Sequence, residues 1–432
     1  MLERTLHTRR RFLRTSVLGG AVAMTLPGFI HRTFAALDTN TAGAVTQIAT
    51  GKDNSILVII QLSGGNDGLN TVIPYEDGGY YSARPKLAIG KDRVLSVSDE
   101  LGLNPKLTGL HRAIQDGEAA IIQGVGYPNP NRSHFRSMEI WQTATDSKKT
   151  SSTGWLGRYF DNCCSGEDSA AVAISVGERM PQAFSAQEPR GIAARNPNSL
   201  RDASGMDESM MAGGEDSADG SSMDGGSIGM LDGRVQSGGS ALDFIRRVAL
   251  DAQVASGQIA EATAKYHGGV DYPGSPLARD LKFVSQMIAG GMPTRIYYTG
   301  MGGFDTHANQ LNTHERLLGD FDGALSAFIS DLKTQGNFDR VTIMTFSEFG
   351  RRVKENAGGG TDHGTAAPVF LAGAGIKSGL FGSAPDLGDL DQGDLKFSVD
   401  FRSIYAGLLE FRLGVPHEQV LGQRFVMSEV IS

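Results

Sequence analysis

A chain of 432 residues, 40% hydrophobic and 20% charged, has the composition of an ordinary globular protein with room for a sizeable core, and its length fits several domains or one large α/β domain. The formal net charge of −8 argues against the basic face that nucleic-acid phosphates require. The only two cysteines, Cys163 and Cys164, are adjacent; neighbours seldom pair, so neither a disulfide framework nor a zinc spacing is expected.

The chain opens on a targeting pattern. Thr8-Arg9-Arg10-Arg11-Phe12-Leu13-Arg14 is a twin-arginine signature, the moderately apolar stretch SVLGGAVAMTLPGF follows, and Ala35-Ala36 offers a small-residue cleavage site. Residues 1–36 are therefore read as a twin-arginine signal peptide, with the export machinery as a partner and a periplasmic or secreted destination. A basic arm or an uncleaved anchor is the other reading, although the apolar stretch is short and Gly/Thr-rich for a bilayer span. Removing 1–36 takes six arginines and one glutamate, leaving 34 basic and 47 acidic residues, a net of −13. No later segment is long and apolar enough to suggest a span.

Short apolar runs bounded by turn residues predict strands at Ile56–Leu62, 119–123, 171–176, 295–298, Val341–Phe346 and 368–372. Runs without polar alternation suit strands covered on both faces. Helical spacing lies between them at 107–115, 134–144, 240–265, 276–288, 314–332 and 401–413. This alternation predicts an α/β fold, a central and mostly parallel sheet between helices, in a single domain over 53–432. Function in such sheets gathers beyond the carboxyl ends of the strands. Residues 199–240 depart from the pattern: rich in Gly, Ser, Asp and Met and without an aromatic residue, they bury too little to offset ordering entropy and read as a disordered insertion.

Five loops carry chemistry. In QLSGGNDGLN (61–70), two glycines let the chain turn sharply after the first strand and deliver Asp67 to its edge; a plain Asp-Gly turn is the alternative. In YPNPNRSHFR (127–136), Ser133 stands at a helix N-terminus, where positive potential stabilises an anion; a capping serine is the alternative. Ser133 and its neighbour His134 are the candidate catalytic pair. In GGFDTHANQ (302–310), Asp305 and His307 are spaced to converge on one cation, while His314 reads as a helix-surface residue. In TFSEFGRR (345–352), Glu348 ends a buried strand, where a carboxylate needs a metal or an arginine partner, Arg351 or Arg352. In GGGTDHGTAAPVFLAG (358–373), Asp362 and His363 precede an apolar strand. Asp67, Asp305, His307, Glu348, Asp362 and His363 form a mixed oxygen and nitrogen set suited to one or two divalent ions.

The blocks RRRFLRTS, LVIIQLSGGNDGLNTVIPY, YPNPNRSHFRSMEIWQTA, GGFDTHANQ and TFSEFGRRVKENAGGGTDHGTAAPVFLAGAGIKSGLFG resemble the exported bacterial family catalogued as domain of unknown function 1501, grouped with the alkaline phosphatase and sulfatase superfamily. The resemblance implies an alkaline-phosphatase-like sheet with a metal site at the strand ends. It also implies Asp67 as the acidic ligand after the first strand, Ser133 as the nucleophile, Asp305 and His307 as ligands of one metal, and His363 as the last histidine ligand. Ser347-Glu348 stands where phosphatases carry Asp-His, which shifts preference from Zn towards harder ions such as Mg, Mn or Ca. Arg132 to Arg136 lacks the proline of the sulfatase nucleophile motif. Two functions follow as expectations: an exported metal-dependent hydrolase of anionic phosphate or sulfate esters, or a non-catalytic periplasmic or cell-surface binding protein on the same fold.

Overall fold

The computed structural model describes residues 55–163, 171–177, 180–187, 191–195 and 254–432; the leader 1–36 and the insertion 199–240 lie outside them. The fold starts from the apolar run of β1 (Ile56–Leu62). Ile56, Val58, Ile60 and Leu62 pack into one hydrophobic layer, and Leu57 and Ile59 into the other. Successive side chains of a strand point to opposite faces, so an apolar run of this kind demands cover on both. Truncating such a residue, for example Leu57→Ala, costs about 2–5 kcal/mol.

Eight further strands join β1: β2 (Ala119–Gly126), β3 (Ala173–Val176), β4 (Ile192–Ala194), β5 (Ile296–Met301), β6 (Val341–Phe346), β7 (Ala367–Gly373), β8 (Gly379–Phe381) and β9 (Val399–Asp400). The order is β8-β2-β7-β6-β1-β5-β3-β4, with β9 also beside β2. β1 runs parallel to β5 and β6, and β7 is antiparallel to both β6 and β2. The remaining pairings are parallel, so β7 alone is reversed. This is the expected α/β architecture with a mostly parallel sheet between helices.

One face carries α1 (Thr108–Gln115), α4 (Pro276–Ala289) and α5 (Gln310–Thr334); the other carries α2 (His134–Thr143), α3 (Trp155–Cys163), α6 (Phe401–Gly407) and α7 (His417–Leu421). Trp141 locks the second layer, stacking on Phe346 at 4.9 Å and on Phe401 at 4.3 Å between ring centroids. Among the described residues no helix is long and apolar enough to cross a membrane.

Three expectations change. α5 extends beyond 314–332 at both ends, entered by Asn309 in the left-handed region at φ 49°. The predicted helix 401–413 turns into a π-helical turn at Leu408–Arg412. Cys163 is disulfide-bonded, which corrects the expectation of unpaired cysteines. With the adjacent Cys164 as the only other cysteine, a bond within the chain closes no long loop and adds little constraint.

The reversal of β7 positions the site. A reversed strand begins at the edge where the parallel strands end, so the loop before Ala367 joins the loops after Leu62, Gly126, Met301 and Phe346. All five chemistry-bearing loops therefore belong to one edge.

Candidate metal centre

The two loops that approach most closely meet at glycine. Gly64 has φ +119°, and a Cβ there would lie 2.4 Å from the backbone nitrogen of Asp305. Only glycine lets the loop after β1 lie against the loop after β5. Arg351 then ties the loops together. Its fully buried guanidinium donates to the carbonyls of Gly65 at 2.8 Å, Thr361 at 2.9 Å and Phe304 at 2.9 Å, to that of Gly64, and to Asp305 Oδ1 at 2.7 Å.

Three histidines converge on Asp305. His307 Nε2 lies 3.0 Å and His363 Nε2 3.1 Å from Asp305 Oδ1, and His134 Nε2 lies 3.4 Å from Oδ2. The Nε2 atoms of His307 and His363 are 3.0 Å apart. Burial raises the carboxyl of Asp305. Hydrogen bonds from Arg351 and His363, with the positive charges of Arg351 and His134, outweigh it and hold the group down to about 2.

Each imidazole is oriented through its other nitrogen. Nδ1 of His363 is 2.8 Å from the carbonyl of Arg132, Nδ1 of His134 is 2.8 Å from Glu348 Oε1, and Nδ1 of His307 is 3.2 Å from Asp362 Oδ1. Carbonyls and carboxylates only accept, so these supports favour a proton on each Nδ1. In that tautomer the three Nε2 atoms and the Asp305 carboxylate are all electron-pair donors, and a shared proton or a metal ion among them would hold the cluster together.

The spacing fits a metal ion. Ligand atoms about 2.0–2.1 Å from zinc stand roughly 3.3 Å apart in a tetrahedron; the contacts of the three Nε2 atoms with Asp305 and of His307 with His363 run from 3.0 to 3.4 Å, with His134 on Oδ2 and the other two rings on Oδ1. Nδ1 anchored on a carboxylate or carbonyl is the usual outer support of a metal-bound histidine. The ligand atoms of His134, Asp305 and His363 all lie within 4.8 Å of one another; His307 stands outside that group and joins it through its contacts with Asp305 and His363.

The other candidates stand apart from the four atoms. Asp67 caps the short helix Gly68–Thr71, and its buried carboxylate pairs with Arg84 Nη1 at 2.6 Å and accepts from Gln310. Burial raises its pKa, but the charge and hydrogen bond of Arg84 prevail and keep it below the usual range. Glu348, 2% exposed, has Gly64 N at 2.8 Å, the Ser347 hydroxyl at 3.3 Å and His134 Nδ1 at 2.8 Å as its partners, not Arg351 or Arg352. Asp362 lies behind His307; hydrogen bonds from Asn356 and then His307 hold its carboxyl low against some burial. Ser133 is exposed at the N-cap of α2, with its hydroxyl making no capping bond.

His314 corrects the expectation of a surface residue. It is 2% exposed, with Nε2 2.9 Å from Asn66 Oδ1. The apolar spacing of α5 continues through it, so it faces inward. Arg84, Gln310 and the carbonyl of Arg132 were absent from the sequence reading, because no periodicity or motif marks a buried arginine or a backbone acceptor.

The family described as protein of unknown function DUF1501 matches residues 54–422. The chain belongs to this family. No curated protein matches it in sequence. Solved structures similar to this DUF1501 protein include a sulfatase, PsFucS1, from Pseudoalteromonas sp., at 10% identity over 90% of this chain and 72% of that one, TM-score 0.37. Another is a protein in the alkaline phosphatase superfamily from Vibrio parahaemolyticus, at 8% identity over 78% and 64%, TM-score 0.34. The C-terminal periplasmic domain of EcEptC from Escherichia coli, in complex with Zn, aligns at 10% identity over 76% and 75%, TM-score 0.34.

In this DUF1501 protein a cavity of about 340 Å³ adjoins the cluster, with Tyr127, Asn131, Trp141, Glu348, Phe349 and Phe397 in its wall. Its size is that of a small-molecule pocket. Phe349 also packs on the rings of His134 and His363, at 4.9 and 4.8 Å, so the cavity and the cluster share a wall.

Proposed function

We propose that this DUF1501 protein is an exported, metal-dependent hydrolase of phosphate or sulfate esters, built around one divalent ion held by His134, Asp305, His307 and His363. The observation that carries the reading is the convergence of three Nε2 atoms on one carboxylate, each ring held by an acceptor at Nδ1. In this assignment His134 is a ligand, not a proton-transfer group, and Glu348 and Asp362 orient ligands from behind. The histidine-rich set suits Zn or Mn better than Mg or Ca. Export rests on the twin-arginine pattern at 8–14.

An ion bound there supplies Lewis acidity, stabilising charge on an ester oxygen and making a water or alcohol easier to deprotonate. The chain's own residues do the rest. Arg351 keeps Asp305 ionised and fixed. Glu348 holds the Nδ1 proton of His134, so that its Nε2 stays free. Ser133, one residue before His134 and solvent-exposed, is the candidate nucleophile. Net hydrolysis breaks the bond between ester oxygen and phosphorus or sulfur, adds the oxygen of water to the acid and returns a proton to the alcohol.

The test is turnover of aryl phosphate and aryl sulfate esters by protein purified without chelator. Activity that vanishes with chelator and in Asp305→Asn supports the reading; activity retained in both contradicts it. A non-catalytic binding protein is favoured by one observation. Asp67, the expected ligand after the first strand, is neutralised by Arg84, leaving a site for one ion rather than two.

A further inference from the structure

Among the described residues, Arg84, Arg132, Arg351 and Arg352 lie in or against the loops of the cluster, and these four divide into two kinds. Arg84 and Arg351 are fully buried with their guanidinium nitrogens bonded to protein acceptors. Arg132 and Arg352 are half-exposed, with side chains 38% and 36% accessible. Both face one buried carboxylate, Asp394. Arg132 Nε donates to Asp394 Oδ2 at 2.7 Å and its Nη2 reaches the same oxygen, while Arg352 Nε lies 3.7 Å from Oδ1. Two guanidinium groups share this one buried carboxylate, and the charge of Arg352 is also felt by the carboxylate of Asp362.

Their free donors matter most. Asp394 Oδ1 has no hydrogen-bond partner although it is buried, so the pair is not organised for its benefit alone. Among the described residues, Arg132 Nη1 and Arg352 Nη2 have no protein acceptor; Arg352 Nη1 makes one long contact, 3.4 Å, to the carbonyl of Gln392. The main chain of both residues touches groups that support the cluster, while their side chains lie against Asp394. The Arg132 carbonyl receives Nδ1 of His363, and Ser133 and His134 follow it directly. The Arg352 nitrogen donates to the carbonyl of Asp362 at 3.0 Å.

We propose that Arg132 and Arg352 form an oxyanion-binding rim on the metal centre, selecting a tetrahedral anionic group, phosphate or sulfate. The inference rests on the hydrolase reading for its purpose and on the arginine geometry for its existence. Planar guanidinium forks bind tetrahedral oxyanions through paired N–H donors, and half-exposed forks reach them without displacing a protein partner. A chain with a net charge of −13 outside 1–36 repels anions at long range, so an anionic ligand needs local positive charge at the site. Asp394 holds the two forks in place and competes for them.

The experiment is calorimetric titration of inorganic phosphate, and separately of inorganic sulfate, into the purified protein at fixed ionic strength, with metal content measured on the same samples. The wild type binds at least one of the two anions. The Arg132→Lys, Arg352→Lys double variant keeps the charges that balance Asp394 but loses the forks, and its affinity falls about tenfold with metal content unchanged. Asp394→Asn shifts affinity the other way, tighter by several-fold, because a competing carboxylate is gone. Wild-type failure to bind either anion, or equal affinity in the double-lysine variant, overturns the rim. Absence of metal in the wild type overturns the hydrolase reading instead, and the anion titration on that metal-free protein still decides the rim.

Discussion

His307 and His363 direct their Nε2 atoms at each other across 3.0 Å, from loops 56 positions apart in the sequence, with Asp305 Oδ1 equally close to both. Each ring has an acceptor behind its Nδ1, and with the protons held there the short contact is between two lone pairs, which a metal ion among them would turn into coordination.

The supports behind the rings should then tune affinity without touching the ion. Asp362→Asn and Glu348→Gln, which weaken the acceptors for His307 and His134, are expected to lower metal affinity about 10–100-fold. Competition against a metal indicator measures this, and unchanged affinity in both would place the rings' orientation elsewhere.

Asp67 and Asp305 should behave oppositely. Asp67→Asn leaves Arg84 buried without its counter-charge and costs about 3–5 kcal/mol in denaturant unfolding, yet the folded protein retains its metal. Asp305→Asn loses the metal, and because it also removes the carboxylate bonded to the buried Arg351 it carries a stability cost of its own, so metal content is what tells the two variants apart. Metal content read on folded samples of both separates these roles.

Acid should unfold the protein partly through His314. Burial first, then the positive charges of Arg84 and Arg351, push its imidazole down to about 4, with Asp67 and Glu315 opposing. The folded state therefore stays neutral there while the unfolded chain takes up a proton below the ordinary value of 6.5. Stability from this group is complete above about 6.5 and is lost as pH falls towards 4. The urea midpoint should drop between pH 7 and pH 5 in the wild type and drop less in His314→Gln. Equal drops in the two proteins would contradict this.

Ser133→Ala should leave the unfolding midpoint within about 0.5 kcal/mol of wild type, since the exposed hydroxyl makes no capping bond. If the serine is the nucleophile, ester turnover disappears in the same variant. A large loss of stability would instead make Ser133 a structural cap.

Much of this was legible in the chain. The unbroken apolar run of β1 announced a strand covered on both faces, and Asp305, His307 and His363 were visible as ligand types in loops after or before strands. Partner choice was not legible. Glu348 takes a histidine and Arg351 takes Asp305 because β7 is reversed and the glycine loop lets two backbones touch, and neither fact has a local signal. His314 was misread for the same reason: polarity suggested a surface, whereas its position on α5 faces Asn66.

The most direct measurement is elemental analysis of protein purified without chelator, beside an Asp305→Asn, His363→Ala double variant. One equivalent of a divalent transition metal in the wild type and none in the folded variant is the expected result. Two equivalents, or a stoichiometric metal that survives in the variant, would contradict a single centre at these residues, and no metal in the wild type would remove the centre altogether.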